Sequence, residues 1–484
     1  MDGFDCDVLV VGGGPTGVTL AALLGRQGVR TIVAEKEPAI FPLPRAAHID
    51  HEGMRILQEA GAADAVMATS RRADRYEFRN ARGKVLLHFD GATRIGPGGW
   101  PAANMIHQPS VEAALRSALA ERAPGSLRCE WEMLSFIEDA DGITVTLATP
   151  DGERTLRTRW LVGADGARSP VRKACGTAFE DLGFEEPWLV VDVLVDDPTR
   201  LPTANLQICD PARATTCVLM SEGRHRWEFM MLPCETPGEV SDPAFVANLL
   251  APWNVEGAVR IERTAVYTFR ARIAERWRRG RVLLAGDAAH QTPPFAGQGM
   301  CSGLRDAANL AWKLAAVEQG KADQALLDTY QPERAPNLRA TIDMAIMMGR
   351  MVCTTSRLGA ALRDIKLGAA RMLGKLPSGP PAYPPIGTGA IMAGSQAAGS
   401  YFPQLVAEDG SRLDEVLGSG VWLIGRETLE ESRMAPFAAG LRAWLDHRSA
   451  EAVLVRPDRY VFGTGESGVL RAQWQAQMAS GHTC

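Results

Sequence analysis

The run Asp7-Val-Leu-Val-Val11, followed without a gap by Gly12-Gly-Gly-Pro-Thr-Gly17, limits this chain more than any other stretch. An unbroken apolar run of this length suits a strand buried on both faces, as in a parallel sheet. Gly17 to Arg26 has helical periodicity, Gly28 is placed to end that helix, and Thr31 to Ala34 reads as a second strand ending at Glu35. In such a unit Gly12 makes the tight turn, Gly14 lets a pyrophosphate approach, and Gly17 allows the helix to pack closely. Pro15 and Thr16 complete the turn, and Glu35 can accept from an adenosine ribose. A 2′-phosphate would face the charge of Glu35, so the candidates are NAD and FAD, although Lys36 stands beside it.

A second stretch, RVLLAGDAAHQTPPFAGQGMCSG from Arg281 to Gly303, is the expected seat of chemistry. Val282 to Ala285 reads as a buried strand, and Asp287 at its carboxyl end suits a ribose or ribitol hydroxyl. The loop Thr292 to Gly299 then leads into a helical run from Leu304 to Gln319. Glycines ahead of a helix expose backbone N–H groups at the positive end of its dipole, so the Gly297-Gln298-Gly299 loop could hold the electron-rich edge of a flavin. No second complete nucleotide fingerprint exists: Gly297, Gly299 and Gly303 lack an abutting strand and a correctly spaced acid. One large dinucleotide lying across several segments therefore fits better than two.

Other candidates lie between these motifs. Arg45, in the segment Pro42 to Asp50, could sit over the pyrophosphate or the flavin edge, and His48 and Asp50 could face a pocket; an ordinary surface or satisfied histidine is the plainer alternative for His48. Gln108 precedes an amphipathic helix, where its amide could hold a cofactor or make a local cap. Asp165, in Gly163-Ala-Asp-Gly-Ala-Arg-Ser-Pro170, is a second acid at a strand-to-helix turn. From Trp188 to Arg272 the texture changes to alternating strands, predicting a β-rich unit that walls a substrate pocket. Trp100, Trp188, Trp227, Phe229 and Tyr267 are candidate walls, with a plain β core as the alternative. Met344, Met347, Met348 and Met351 fall at helical spacing and read as a buried stripe. Leu376 to Pro385 reads as a Pro-rich linker, with a small α/β unit after it.

A net charge of −5 without a basic tract argues against nucleic acid. Nine scattered cysteines show neither disulfide nor zinc spacing, so no metal is expected. With no leader pattern and no apolar run of about 18 residues, a cytoplasmic protein off the membrane is expected. A homodimer is the base-rate expectation.

GGGPTG with Glu35, GADGARSPVR, and RVLLAGDAAHQTPPFAGQGMCSGLRDAANLAWKL together resemble the class A flavoprotein monooxygenases, aromatic hydroxylases of the p-hydroxybenzoate hydroxylase type. PRAAHIDHEGMRILQ, RWEFMMLP, ALLDTYQPER and VRPDRYVFG are similar to the branch acting on 3-(3-hydroxyphenyl)propionate. The resemblance implies an α/β fold. Its parts would be a Rossmann-like FAD domain of glutathione-reductase type (1–75, 105–180, 273–375), an inserted β-rich substrate domain (76–104, 181–272), and a thioredoxin-like C-terminal domain (386–484) without redox thiols. It implies contacts to FAD from Gly12, Gly14, Gly17, Glu35, Arg45, Gln108, Asp165 and Asp287, with Pro293 and the Gly297-Gln298-Gly299 backbone bordering the ring. It also implies NADH or NADPH as transient reductant, O₂, a small aromatic substrate, and hydroxylation through C4a-hydroperoxyflavin. Pro294 and Phe295 would border the substrate, and Phe295-Ala296 departs from the branch's expected aromatic-plus-polar pair, putting the substrate in question. His48, with Tyr267 second, is the candidate base. An FAD oxidase or dehydrogenase, or a non-catalytic flavoprotein, are the alternatives.

Overall fold

The computed structural model describes residues 3–72, 75–90, 94–376 and 383–479. Most of the expected Pro-rich linker, 377–382, lies outside them.

The first sheet runs Arg278–Arg279, Val282–Leu284, Gly152–Gly163, Cys6–Val11, Thr31–Glu35, Leu127–Cys129, parallel along this row after the first pair, and antiparallel strands Ile143–Thr149 and Glu132–Glu138 join it at Gly152–Gly163. Val8, Leu9 and Val10 are wholly buried, which is why this strand reads as an unbroken apolar run. Helix Pro15–Arg26 packs between helices Gly299–Glu318 and Gln108–Arg122. Gly299–Glu318 begins earlier than its apolar periodicity suggested, so the glycine loop runs straight into the helix terminus.

The second sheet has the order His290–Gln291, Val259–Ala274, Phe179–Val195, Arg224–Met230, Thr215–Leu219, Asn205–Cys209, Arg75–Asn80, Val85–Asp90. Its faces differ, as the two-residue strand period requires. Leu189, Val191, Trp227 and Phe229 form an outer core closed by helix Pro243–Leu250. Trp188, Met230, Glu228 and Arg226 share the opposite face, turned to the first domain.

Helix Tyr330–Val352 buries Ile342, Ala345, Ile346 and Gly349 most deeply; of the methionine stripe, Met348 and Met351 pack half-buried against the core while Met347 is 66% exposed. Small residues win that face because Gly349 lies against Phe184 and Phe295, where a Cβ would come within 2.8 Å. In the C-terminal part, strands Trp422–Gly425, Ala452–Val455 and Val461–Gly465 form an antiparallel sheet. Helix Ala438–Asp446 covers one face through Leu441 and Leu445, and Ser467–Ala479 covers the other through Leu470. Charge pairs dock this unit on the first domain: Arg55 meets Asp414 at 2.6 Å, and Arg456 meets Glu333 at 2.7 Å.

Candidate active site

Three turns, two of them bearing an acid, meet at the carboxyl ends of the parallel strands. Ala164 N donates to Val11 O at 2.8 Å and Ala285 N to Gly163 O at 2.9 Å, so the turns at 12–17, 164–166 and 286–288 stand side by side. Such a row of strand ends is where open α/β sheets bind ligands. Gly12 has φ +109°, and a Cβ there would fall 2.3 Å from Ala164 O. At Gly17 it would fall 2.0 Å from Gly12 O. Gly14 is different: nothing lies within 4 Å of its Cβ position, so the loop's outer side is open. The helix starting at Pro15 has no side-chain cap, which leaves first-turn N–H groups for an anion.

Glu35 is fixed by backbone donors, Gly13 N at 2.6 Å and Glu37 N at 2.9 Å. Lys36 points away, exposed, with its ammonium 3.6 Å from Glu37, because it follows the strand's inward-facing acid by one residue. Thr16 sits between Gly286 and Gly303, where any Cβ would strike its hydroxyl, and so joins the first and last motifs. Asp165 accepts from Val171 N at 3.0 Å through Oδ2, while its buried Oδ1 has no partner and burial pushes the carboxyl up. Asp287 is exposed, yet surrounding protein still raises its carboxyl against the pull of His290 and Arg45. That combination describes the floor of a cleft. Arg45 itself is exposed over the Phe41 ring. Gln108 is less free than expected: its carbonyl accepts from Ala46 N at 2.6 Å and its amide donates to Glu112 at 2.8 Å. Its position under the 44–47 segment makes it a brace for Arg45.

The glycine loop turns at Gly297, φ +65°. His48 lies against it, with Nδ1 3.1 Å from Gly297 O. Gln298 is buried with its side chain turned inward, donating to Tyr383 Oη at 2.7 Å and accepting from Arg305 at 3.1 Å, so only its backbone faces the cleft. Gly299 opens a helix of 20 residues, and its Cβ position is clear to 4 Å. Pro293 and Phe295 are buried and Pro294 is half-buried. Phe295 meets Trp188 at 5.6 Å and Phe184 at 5.8 Å between ring centroids. Tyr267 pairs in register with Trp188, and its hydroxyl accepts from Arg263.

Three expectations fail. Phe229, like Trp227, sits in the outer core, because odd and even residues of strand Arg224–Met230 point to opposite faces. Trp100 is buried beneath the C-terminal unit, donating to Gln58 at 3.0 Å with Arg412 stacked 4.0 Å over its ring. Asp50 is no pocket residue: it caps helix His51–Ala60 and binds Arg305 at 2.6 Å. Burial alone would raise it, but Arg305 holds it well below the usual carboxylate range. Two residues were missed. Arg116 donates to Gly13 O at 3.1 Å while its buried Nε has no partner, and Glu228 lies on the inner face of the second sheet. Neither carries a motif; Arg116 resembles any helix-surface arginine in sequence.

A model of the FAD binding domain family matches residues 5–345. The chain belongs to that family. A fellow member of this FAD-binding family, the 3-(3-hydroxy-phenyl)propionate/3-hydroxycinnamic acid hydroxylase of Mycolicibacterium smegmatis, is 41% identical over 359 residues, covering 74% of this chain and 63% of that relative. The probable NADH-specific resorcinol 4-hydroxylase of Rhodococcus jostii is 36% identical over 495 residues, covering 94% and 91%. Among solved structures, aklavinone-11 hydroxylase in complex with FAD and aklavinone superposes with TM-score 0.79 at 26% identity, covering 99% of this chain and 100% of that one.

FAD is the cofactor, and the cleft fits it. The open side of Gly14, the uncapped helix terminus, the unpartnered Asp165 Oδ1 and Arg116 Nε, and the clear space at Gly299 are unmet polar or steric room along one line of strand ends.

Proposed function

We infer that this FAD-dependent aromatic hydroxylase, an NAD(P)H:O₂ monooxygenase, inserts its oxygen into a phenolic ring held between the Gly297–Gly299 loop and the inner face of the second sheet. The observation that carries the reading is the aromatic wall of Trp188 and Phe295 standing beside His48, directly against the loop assigned to the flavin. Gly12, Gly14, Gly17 and the helix from Pro15 would hold the pyrophosphate, with Glu35 on the adenosine ribose and Asp287 on the ribitol. Pro293, Gly297 and Gly299 would border the ring system. Bound FAD, reduced by NAD(P)H, supplies the activated oxygen.

The residues of the chain do the rest. His48 is the proposed proton acceptor: with Nδ1–H donating to Gly297 O, its lone pair lies on Nε2. Burial lowers its pKa, against the pull of Asp50, so it is neutral and able to accept at pH 7. Tyr267, fixed by Arg263, is the second candidate. Trp188, Phe295 and Pro294 would exclude water and place the ring. The C-terminal unit is proposed as a reduced thioredoxin-like fold with a structural role.

The test is consumption of NADH and of NADPH by the purified, FAD-loaded protein against phenols and aromatic acids, with product mass read alongside. A panel member that accelerates consumption and gains one oxygen is the expected result. Acceleration that yields only peroxide would favour the oxidase reading, and no response to any member would favour a non-catalytic flavoprotein.

A further inference from the structure

Residues 226, 228 and 230 alternate onto one face of strand Arg224–Met230, and contacts at both ends show what that face meets. At one end Arg226 donates to Pro44 O at 2.7 Å and Arg45 O at 2.8 Å, the segment that leads to His48. At the other, Met230 pairs in register with Trp188, whose ring meets Phe295. Glu228 lies between them. It therefore lies on the face turned toward the segment that leads to His48 and toward Phe295.

The carboxylate of Glu228 is nearly buried and accepts no hydrogen bond from any described residue; its nearest cation is Arg226, at 3.7 Å. A buried carboxylate without donors is costly, so residues of this kind are kept for a ligand more often than for the fold. Its neighbours in register are polar too. Thr216 pairs with both Glu228 and Gln207; the threonine hydroxyl donates to Gln207 at 2.7 Å, and Gln207 donates to Tyr76 at 2.6 Å. This is a rigid patch of acceptors and hydroxyls set into an otherwise apolar wall.

The cations of the same face are already engaged. Arg226 is bound to Asp192 and the two carbonyls, Arg263 to Pro44 and Tyr267, and Arg224 to Glu262. Among the described residues of that face none is left to neutralise an incoming carboxylate, which would also meet the charge of Glu228.

We propose that Glu228 accepts a hydrogen bond from a ring hydroxyl of the substrate, and that the pocket selects uncharged hydroxylated aromatics over aromatic acids. The proposal rests on the hydroxylase reading above and names the substrate class of that same site. A hydroxyl bonded to a carboxylate also gives electron density to the ring, which favours attack on an electrophilic oxygen. Burial raises the carboxyl to about 6, against the pull of Arg226, so it is mainly ionised at pH 7.5.

The experiment is equilibrium binding to the oxidised, FAD-loaded protein, followed by the change in flavin absorbance. Resorcinol is compared with 3-hydroxybenzoate and 3-(3-hydroxyphenyl)propionate, in the native protein and in Glu228→Gln. Resorcinol should bind at least tenfold more tightly than either acid, and Glu228→Gln should weaken resorcinol at least fivefold while narrowing the gap. Equal or tighter binding of an acid to the native protein overturns the proposal without any variant, as does an unchanged resorcinol affinity in a Glu228→Gln protein that retains FAD. Product mass separates the two levels. An acid that binds tightly and gains oxygen refutes the role of Glu228 and leaves the hydroxylase standing, whereas no binding and no oxygen gain with any phenol refutes both.

Discussion

Replacing Arg226 by Met tests how the second sheet is fastened to the flavin domain. Arg226 and Asp192 are 5% and 2% exposed at the side chain, with Nε 2.6 Å from Oδ1. Removing Arg226 leaves Asp192 buried with only Arg263, 3.9 Å away, to offset its charge, and breaking such a pair costs about 3–5 kcal/mol. Arg45 O also loses its donor and Pro44 O keeps only Arg263, at roughly 1 kcal/mol each. Apolar burial of the methionine offsets about 1–2 kcal/mol of this. The net loss is about 4 kcal/mol, or a fall in Tm on the order of 10 °C. Urea and thermal unfolding of the FAD-loaded protein measure it, and FAD should bind more weakly because the Arg45 segment has lost its anchor. The companion double variant, Arg226→Met with Asp192→Leu, removes the stranded charge and should recover at least half of the loss. A single-variant loss under about 1 kcal/mol, or a double variant no better than the single, would refute the reasoning.

Gly17→Ala places a methyl 2.0 Å from Gly12 O, so the purified protein should be colourless; a variant that keeps stoichiometric FAD would contradict the assigned cradle. His48→Asn removes the proposed acceptor, and hydroxylation should slow by about 10²-fold or more while NADH still reduces the flavin; an unaltered turnover of product would move the role to Tyr267. His225 is buried, and burial lowers its pKa to about 3 from the ordinary 6.5. Its contribution to stability is therefore complete above pH 6.5 and is lost as pH falls toward 3, at about 1.4 kcal/mol per unit. Tm should drop between pH 7 and 4.5 less steeply in His225→Phe than in the native protein, and parallel curves would count against it.

The first motif was legible because all its requirements are local. Gly12, Gly14, Gly17 and Glu35 lie within one strand–helix–strand unit, and their spacing can be read there even though Gly12 also packs on the distant Ala164. Asp165 and Asp287 were legible for the same reason, as acids at strand ends. Phe229 and Glu228 show the opposite case. In Arg226-Trp-Glu-Phe-Met the alternation is plain, and the usual rule sends the charged residues to solvent and the aromatics to the pocket. The sheet instead turns its charged face to another part of the chain, 181 residues away in sequence for Arg226 and Arg45, and no window around residue 228 contains that fact. Trp100 failed likewise, since its cover comes from Arg412. The methionine stripe lost to Ile342, Ala345 and Gly349 because the aromatic rings of Phe184 and Phe295 demanded a shallow surface.

The docking of the C-terminal unit bears on how the protein is made. Glu333 is wholly buried between Lys313 and Arg456, and Asn309 bonds both Glu333 and Asp458. Arg55 finds acceptors in Asp414 and Phe402 O. Gln298, beside the flavin loop, is oriented by Tyr383. During synthesis the nucleotide cradle emerges first, with these charges still wet and this loop unbraced, and it stays so until residues 383–458 have left the ribosome. A nascent chain of this design would meet its cofactor with that loop unbraced, and the last fifth of translation would supply the brace. Fusing the cradle to a foreign tail would lose that final setting step, even with every FAD-contacting residue in place.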